Sequence, residues 1–404
     1  MTRRVVVTGM GAICASGGSV TEFRENLQNG VCGIETKTVS AGDGLDYTGP
    51  MAPIKDFASR AQDLGRDMAR ADHFTQFAAI AADEAIADSG LEINEVLSPR
   101  AAAIIGTGIG GQLAMDTAYV GMLSKGRRPH PLTILKTIPN AAASQVSIRH
   151  GLRGPAFAVS SACASGAHAI GVCADIIRAG RADVGLAGAS EAVLTYGALE
   201  AWKAMHIMSD ELCRPFSKNR KGLVIGEGAG LLVLEEYGHA KRRGADIYAE
   251  LVGFGMNADG KDMINPDPDG AAGAMRVALE GVAIDDVARV YVNAHGTGTL
   301  LNDPTETKAI RAVFGADADK LAVSSTKSMH GHLLGAAGGV EAIASILALR
   351  DGIAPPTVNF DAPDPECDLD VTPNEARARP LDIAISNSFA FGGLNAVLTF
   401  QRLR

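Results

Sequence analysis

The chain has 404 residues, with 37 Lys and Arg against 46 Asp and Glu and a formal net charge of −9. That balance argues against nucleic-acid binding as a whole-chain property, and it requires any acidic macromolecular partner to find a local basic patch. The composition is 47% hydrophobic but only 5% aromatic, with 47 glycines, so the core is built mainly from Ala, Val, Leu and Ile, in two domains or one large duplicated one.

The six cysteines (Cys14, Cys32, Cys163, Cys173, Cys213 and Cys367) show no spacing typical of disulfides or of a metal site. The apolar run Val5-Val6-Val7 is too short for a secretory signal, and no run of apolar residues is long enough for a membrane span. With free thiols and no export signal, the cytoplasm is the expected compartment.

In chain order, Val5-Val6-Val7 reads as a strand leading into a turn at Gly9-Met10-Gly11, with a helix near residues 20–28. Residues 74–88 read as a helix with apolar positions at Phe74, Phe77, Ala78, Ala81, Ala82 and Ala85. Residues 101–105 read as a buried strand ending in Gly106-Thr107-Gly108. The run Gly106-Thr107-Gly108-Ile109-Gly110-Gly111 has the G-x-G-x-x-G spacing of a dinucleotide loop. Such a loop also needs an acidic residue at the next strand end, whereas Lys125-Gly126-Arg127-Arg128-Pro129-His130-Pro131 is basic and turn-rich. Dinucleotide binding is therefore set aside.

Phe157-Ala158-Val159 reads as a strand that stops at Ser160-Ser161-Ala162-Cys163-Ala164-Ser165-Gly166-Ala167. Residues 163–180 fit a helix with almost no bulk near its start. A cysteine there lies at a helix N-terminus, where the partial positive charge favours thiolate and backbone N–H groups can hold an oxyanion. The segment reads as a nucleophile's, against the plainer reading of a buried structural cysteine. His168 is five residues on and about 140° round the helix, which suits a packed histidine better than a base.

Two further strand ends carry chemistry. Val290-Tyr291-Val292-Asn293-Ala294 ends at His295, before a Gly/Thr turn. Leu321-Ala322-Val323-Ser324-Ser325-Thr326 ends at Lys327 and His332, before a Gly/Ala-rich helix. Ser324-x-x-Lys327 fits the serine β-lactamase pattern, but no Lys-Thr-Gly follows. His330-Gly331-His332 offers two metal ligands that only Glu341 approaches in sequence, so no metal site is expected. A faint repeat is also visible. Ala158-Val159-Ser160-Ser161 parallels Ala322-Val323-Ser324-Ser325, and Val5 to Gly11 parallels residues 249–256.

Taken together, four segments closely resemble those of the β-ketoacyl-[acyl-carrier-protein] synthases, over nearly the whole chain. They are Ser161-Ala162-Cys163-Ala164-Ser165-Gly166, Asn293-Ala294-His295-Gly296-Thr297, Ser325-Thr326-Lys327-Ser328 with Gly331-His332-Leu333-Leu334-Gly335, and Asn387-Ser388-Phe389-Ala390-Phe391-Gly392-Gly393. The resemblance is to the elongating synthase II type. It implies a thiolase-like α/β fold, two similar halves in five αβαβα layers, and a homodimer. The halves would be 1–250, with the nucleophile, and 251–404, with His295, Lys327 and His332. It also implies catalysis by Cys163, His295, His332 and Lys327, with Lys327 fixed near His332 and no cofactor. Backbone N–H groups of Cys163 and Phe391 would form the oxyanion hole, and the Phe391 ring would gate the acyl pocket.

The implied partner is an acyl carrier protein, acyl- or malonyl-loaded, with Arg66, Arg70, Arg127 and Arg128 as its dock. The implied acyl pocket is walled by Ile109, Trp202, Phe391 and, from the other protomer, Leu132-Thr133-Ile134. A small Thr133 where the family often has phenylalanine leaves room for medium to long chains. A thiolase would need a second catalytic cysteine near the C-terminus, where only Cys367 is found, and a chain-length factor would lack the nucleophile. Gly296-Thr297-Gly298-Thr299-Leu300-Leu301-Asn302-Asp303 and Cys213-Arg214-Pro215-Phe216-Ser217 resemble the nodulation-type synthases, which leaves a specialised enzyme making an unusual fatty acyl or polyketide product as the alternative.

Overall fold

The computed structural model describes residues 3–42, 44–65 and 68–403. Its strands are β1 Val5–Cys14, β2 Glu35–Ser40, β3 Asp46–Met51, β4 Ala101–Gly106, β5 Ala156–Val159, β6 Val184–Glu191, β7 Gly228–Glu236, β8 Ala249–Ala258, β9 Val290–Asn293, β10 Ala322–Ser324, β11 Ile353–Ala354, β12 Arg377–Ala378, β13 Ile383–Ala390 and β14 Leu394–Gln401. Ten of them form one sheet in the order β10-β9-β13-β14-β8-β1-β7-β6-β4-β5, and β2–β3 and β11–β12 form separate ribbons.

The large sheet reads the same from either end. β4 runs parallel to β5 and β6, as β9 does to β10 and β13. The remaining neighbours are antiparallel, including β1 and β8 at the centre. β1 therefore corresponds to β8, and β5 to β10, which are the two pairs of the sequence repeat. Helix His73–Ser89 covers β1 and β7, and Pro268–Ala278 covers β8 and β14. Helices Ser165–Arg178 and Ala337–Asp351 pack on each other and on strands of both halves. The result is a five-layer, thiolase-like α/β fold. Helix Ala337–Asp351 is buried on every side, so its apolar residues run all round rather than along one stripe. β4, β6 and most of β7 are buried throughout for the same reason, and sandwiched strands read as continuous apolar runs.

The expected turn at Gly9-Met10-Gly11 does not form; β1 runs straight through it. These glycines answer a packing need instead. A Cβ on Gly9 would stand 2.3 Å from Ala85 O, and one on Gly11 1.9 Å from Ala81 O. The second half repeats the device, with Gly253 and Gly255 at 1.8 and 2.0 Å from Ala278 O and Ala274 O. In each half a G-x-G pair lets a helix backbone lie directly on a strand. The helix expected at 74–88 spans His73–Ser89, held at its start by the Asp72 carboxylate and closed by Gly90 in the left-handed conformation.

Candidate active site

The parallel strands β5, β9 and β10 end on one side of the sheet, the usual place for a site in α/β folds. After β5 the chain turns through Ala162, at φ 49°, before helix Ser165–Arg178 begins. An alanine in the left-handed region is strained, and Ser165 pins it. The Ser165 hydroxyl accepts from Ser161 N at 2.9 Å and donates to Ala162 O at 2.7 Å. Cys163 thus sits two residues before the helix rather than as its first residue, and it is buried.

His332 Nε2 lies 3.1 Å from Cys163 Sγ. The backbone of His332 is fixed by its N–H donating to Val224 O at 2.7 Å, and its Nδ1 is buried without a partner among the described residues. The ring of His295 stands nearly perpendicular to that of His332, 5.4 Å away. Lys327 follows β10 at the start of helix Lys327–His330. The sequence reading put this lysine beside His332. Its ammonium instead donates to His295 Nδ1 at 3.3 Å and to the Glu341 carboxylate, with Lys327 and Glu341 both fully buried. Because Nδ1 of His295 accepts, the proton of its neutral ring is on Nε2. Burial, then the positive charge of Lys327, hold the pKa values of both imidazoles well below the ordinary histidine value. Both rings are neutral at pH 7.

The thiol corrects one expectation. Burial pushes Cys163 up to about 12, only partly offset by Lys327, so desolvation outweighs the helix N-terminus and the resting group is a thiol. Its Sγ is within hydrogen-bond reach of His332 Nε2.

Three carboxylates that hold this arrangement were missed as such in the sequence. The two Glu306 oxygens accept from His295 N and Gly296 N at 2.8 and 2.7 Å, and Oε1 also accepts from Asn387 at 3.0 Å. Asp303 accepts from Phe216 N and Gly298 N. Glu341 neutralises Lys327, and burial raises its own pKa to about 7. The signal for the first pair was present. Asp303 and Glu306 are three apart in the first turns of helix Asn302–Phe314, on one face and directly after a Gly/Thr loop.

Cys163, His295 and His332 open onto a cavity of about 250 Å³, bordered also by Trp202, Leu223 and Phe391. The Trp202 and Phe391 rings stack at 6.0 Å and 22°. Ile109 and Thr133 do not border this cavity within one chain. Ile109 is exposed on the loop after β4. Thr133 lines a separate groove with Arg127, Arg128, His130 and residues 69 and 71. Arg70, Arg127 and Arg128 are exposed, and Arg66 lies outside the described residues.

The features set aside in the sequence have other work. The Gly108 and Ile109 N–H groups, which a phosphate would use, are taken by Glu191. His330 bonds Thr326 and the Gly331 carbonyl through its two ring nitrogens. His168 bonds Ser161 at 2.7 Å, and Cys367 lies in a core cluster away from the cavity.

Residues 2–240 match the β-ketoacyl synthase N-terminal domain, and residues 248–361 its C-terminal domain. Nodulation protein E of Rhizobium sp. (strain N33) is 46% identical over 407 residues, with both chains fully covered. The 3-oxoacyl-[acyl-carrier-protein] synthase 2 of Staphylococcus aureus (strain COL) is 43% identical over 409 residues, covering 99% of this chain and 98% of that one. Among solved structures, the ishigamide ketosynthase/chain length factor superposes with a TM-score of 0.93 at 34% identity, both chains fully covered. With both family domains matched along the chain and relatives at 43–46% identity over its full length, the chain belongs to the β-ketoacyl synthase family of acyl-transferring condensing enzymes.

Proposed function

We propose that the protein extends fatty acyl chains by two carbons, condensing malonyl-carrier-protein with an acyl group held on Cys163. The observation that carries this is the 3.1 Å contact between Cys163 Sγ and the neutral His332, beside a His295 whose N–H points away from Lys327. In the first half-reaction Sγ attacks the thioester carbonyl of the acyl-loaded carrier. Its proton passes to His332 Nε2 and on to the departing carrier sulfur. The oxyanion is held by backbone N–H groups of Cys163 and Phe391.

In the second half-reaction malonyl-carrier-protein enters and its C–C bond to carboxylate breaks. CO2 leaves, and the electron pair becomes the thioester enolate. His295 Nε2–H and His332 Nε2–H donate to the enolate oxygen. Among the described residues the Nδ1 of His332 has no partner, so no hydrogen bond there fixes the tautomer, and the ring can serve as acceptor first and donor second. The enolate α-carbon then attacks the Cys163 thioester, the sulfur leaves as thiolate and takes up one proton from solvent, which balances the loss of the malonyl carboxylate as CO2, and the 3-ketoacyl product departs on the carrier.

The acyl substrate is medium to long. The alternative, a specialised synthase with an unusual fatty acyl or polyketide product, is favoured by the segments around residues 213–217 and 296–303 and by the likeness to nodulation protein E. Incubation with acyl-carrier-proteins of C4 to C18, saturated and unsaturated, scored by mass spectrometry for two-carbon extension, tests both. Extension across the saturated C8–C16 range supports the first reading; extension confined to modified chains supports the second; no extension of any chain refutes both.

The working unit is a homodimer of chains with halves 1–250 and 251–404, and Arg66, Arg70, Arg127 and Arg128 form the carrier dock. Exposure of three of these arginines in an acidic chain supports the dock. Reversing charge at Arg127 and Arg128 should raise KM for carrier-linked substrates but not for small thioester mimics. The cytoplasm suits six unpaired thiols, and among the described residues no helix is long and apolar enough to cross a membrane.

A further inference from the structure

Glu191, the last residue of β6, is fully buried and takes no part in the chemistry above. Its carboxylate accepts four hydrogen bonds. Oε1 takes the Thr107 hydroxyl at 3.0 Å and Ile109 N at 3.3 Å. Oε2 takes Gly108 N at 2.6 Å and Gly335 N at 3.0 Å. Burial raises its pKa to about 7, against which these four bonds favour the anion, and no cation is among these partners. A buried charge held only by dipoles is costly to build.

The two loops it joins come unusually close. A Cβ on Gly335 would stand 2.2 Å from Gly108 N and 2.5 Å from Glu191 Oε2. Between Gly335 and the catalytic His332 lies Leu334, at φ 48°. A leucine in the left-handed region costs of order 1–3 kcal/mol and persists only where its surroundings over-determine it. The Gly335–Glu191 bond is attached to the next residue, and the His332–Val224 backbone bond anchors the other side.

We infer that Glu191 is a positioning residue, which locks the strained backbone behind His332 to the loop carrying Ile109 and so couples the acyl side of the site to the histidine that serves both half-reactions. This rests on the condensing reaction proposed above, and its acyl arm on Ile109 facing the acyl chain.

Glutamine and alanine at position 191 separate the two arms. An amide has one acceptor oxygen. It must face Gly108 and Gly335, because an NH2 group there would meet two N–H donors head-on. The amide nitrogen then faces Thr107, whose hydroxyl can turn to accept, and Ile109, whose N–H is left unpaired. Glu191→Gln therefore keeps the bridge to Gly335 and releases Ile109, while Glu191→Ala releases both.

The two rates to be measured are kcat for malonyl-carrier-protein decarboxylation and acylation of Cys163 across chain lengths, on protein shown folded by circular dichroism. Glu191→Ala should lower the decarboxylation kcat on the order of 10–100-fold with KM unchanged, as a misplaced catalytic group does. Glu191→Gln should recover most of that loss, yet shift the chain-length profile. A folded alanine variant with normal kcat, or equal losses in both variants, overturns the inference. If the alanine variant does not fold, the glutamine variant decides: a moved profile with kcat largely kept supports the lock, and parallel losses overturn it. Ile109→Ala is the control for the underlying reading. If it leaves the profile unmoved while Glu191→Ala still loses decarboxylation, the acyl assignment of Ile109 falls and the lock on His332 stands. If wild-type protein neither decarboxylates nor acylates, the condensing reaction itself falls.

Discussion

A thiol pushed up to about 12 by burial holds almost no thiolate at neutral pH, so in the proposed reaction Cys163 requires a base, and His332 Nε2 at 3.1 Å is placed to be it. This divides the two histidines. Cys163→Ala should form no acyl adduct with acyl-carrier-protein in intact-protein mass spectrometry. His332→Ala should lose both adduct formation and decarboxylation. His295→Ala should still acylate but lose decarboxylation by roughly 10²–10³, the usual cost of one oxyanion donor. Adduct formation at the normal rate in His332→Ala would assign the base elsewhere. The pH dependence follows from Lys327. Burial and this cation lower both imidazole pKa values, so both rings stay neutral as pH falls through the ordinary histidine value. In Lys327→Met the cation is gone, and Glu341, already raised to about 7 beside its cation, rises further and is neutral in acid. The imidazole pKa values then rise, although burial still lowers them, and the acid limb of decarboxylation should move to higher pH than in the wild type. Identical pH profiles would exclude the lysine from this role. That Cys163, His295, Lys327 and His332 come together was legible because each stands in a segment following a strand. The thiol's protonation state and the partner of Lys327 were not, because both depend on which groups fold in around them.

At the scale of elements, strand length was misread where glycine carries a packing role rather than a turn. Gly9 and Gly11 look like punctuation in the sequence, yet they lie within β1 because helix His73–Ser89 rests on them. The same pattern at Gly253 and Gly255 under helix Pro268–Ala278 gives the weak repeat a physical basis, since both halves solve one helix-on-strand contact in one way. Gly255→Ala should accordingly destabilise by about 1–3 kcal/mol, as overpacking does. Its Cβ would meet Ala274 O at 2.0 Å, and backbone cannot give way as a flexible side chain can. A lower midpoint in urea with an unchanged slope is the expected result. An unchanged midpoint would mean that the helix shifts freely on the strand and that the G-x-G pair is not what seats it. The acidic pair Asp303 and Glu306 is also an element-scale feature. It looks like ordinary first-turn acidity in sequence, and only the fold brings the His295 loop over it.

The two ends of the large sheet are not alike, although the halves correspond strand by strand. At β10 the outer edge is covered, with Val323 N donating to Asp370 O at 3.3 Å and the Thr372 hydroxyl to Val323 O at 2.9 Å. At β5, the other outermost strand, Phe157 is 40% exposed, and β5 packs beside helix Ala141–His150, which in turn carries helix Thr133–Thr137 with Ile134 at 68% and Leu135 at 61% exposure. An open strand edge flanked by large apolar residues is a pairing surface, and a second copy of this chain is the partner that supports the homodimer reading. Phe157→Asp should give monomers in sedimentation velocity where the wild type sediments as a dimer; a wild-type monomer would refute the dimer. The face also bears on chain length, because Thr133 lies on it and borders no part of its own chain's catalytic cavity. If the partner's Thr133 ends the acyl tunnel, its small side chain leaves space for more methylenes, each worth roughly 0.8 kcal/mol when buried, or about fourfold in relative binding. Thr133→Phe should then shorten the longest chain extended by several carbons and leave short-chain rates unchanged. In the monomeric background the same substitution should have no effect on whatever chains are still accepted. A profile unmoved in the dimer would take residue 133 out of the tunnel, and an equal shift in the monomer would place the tunnel's end within a single chain.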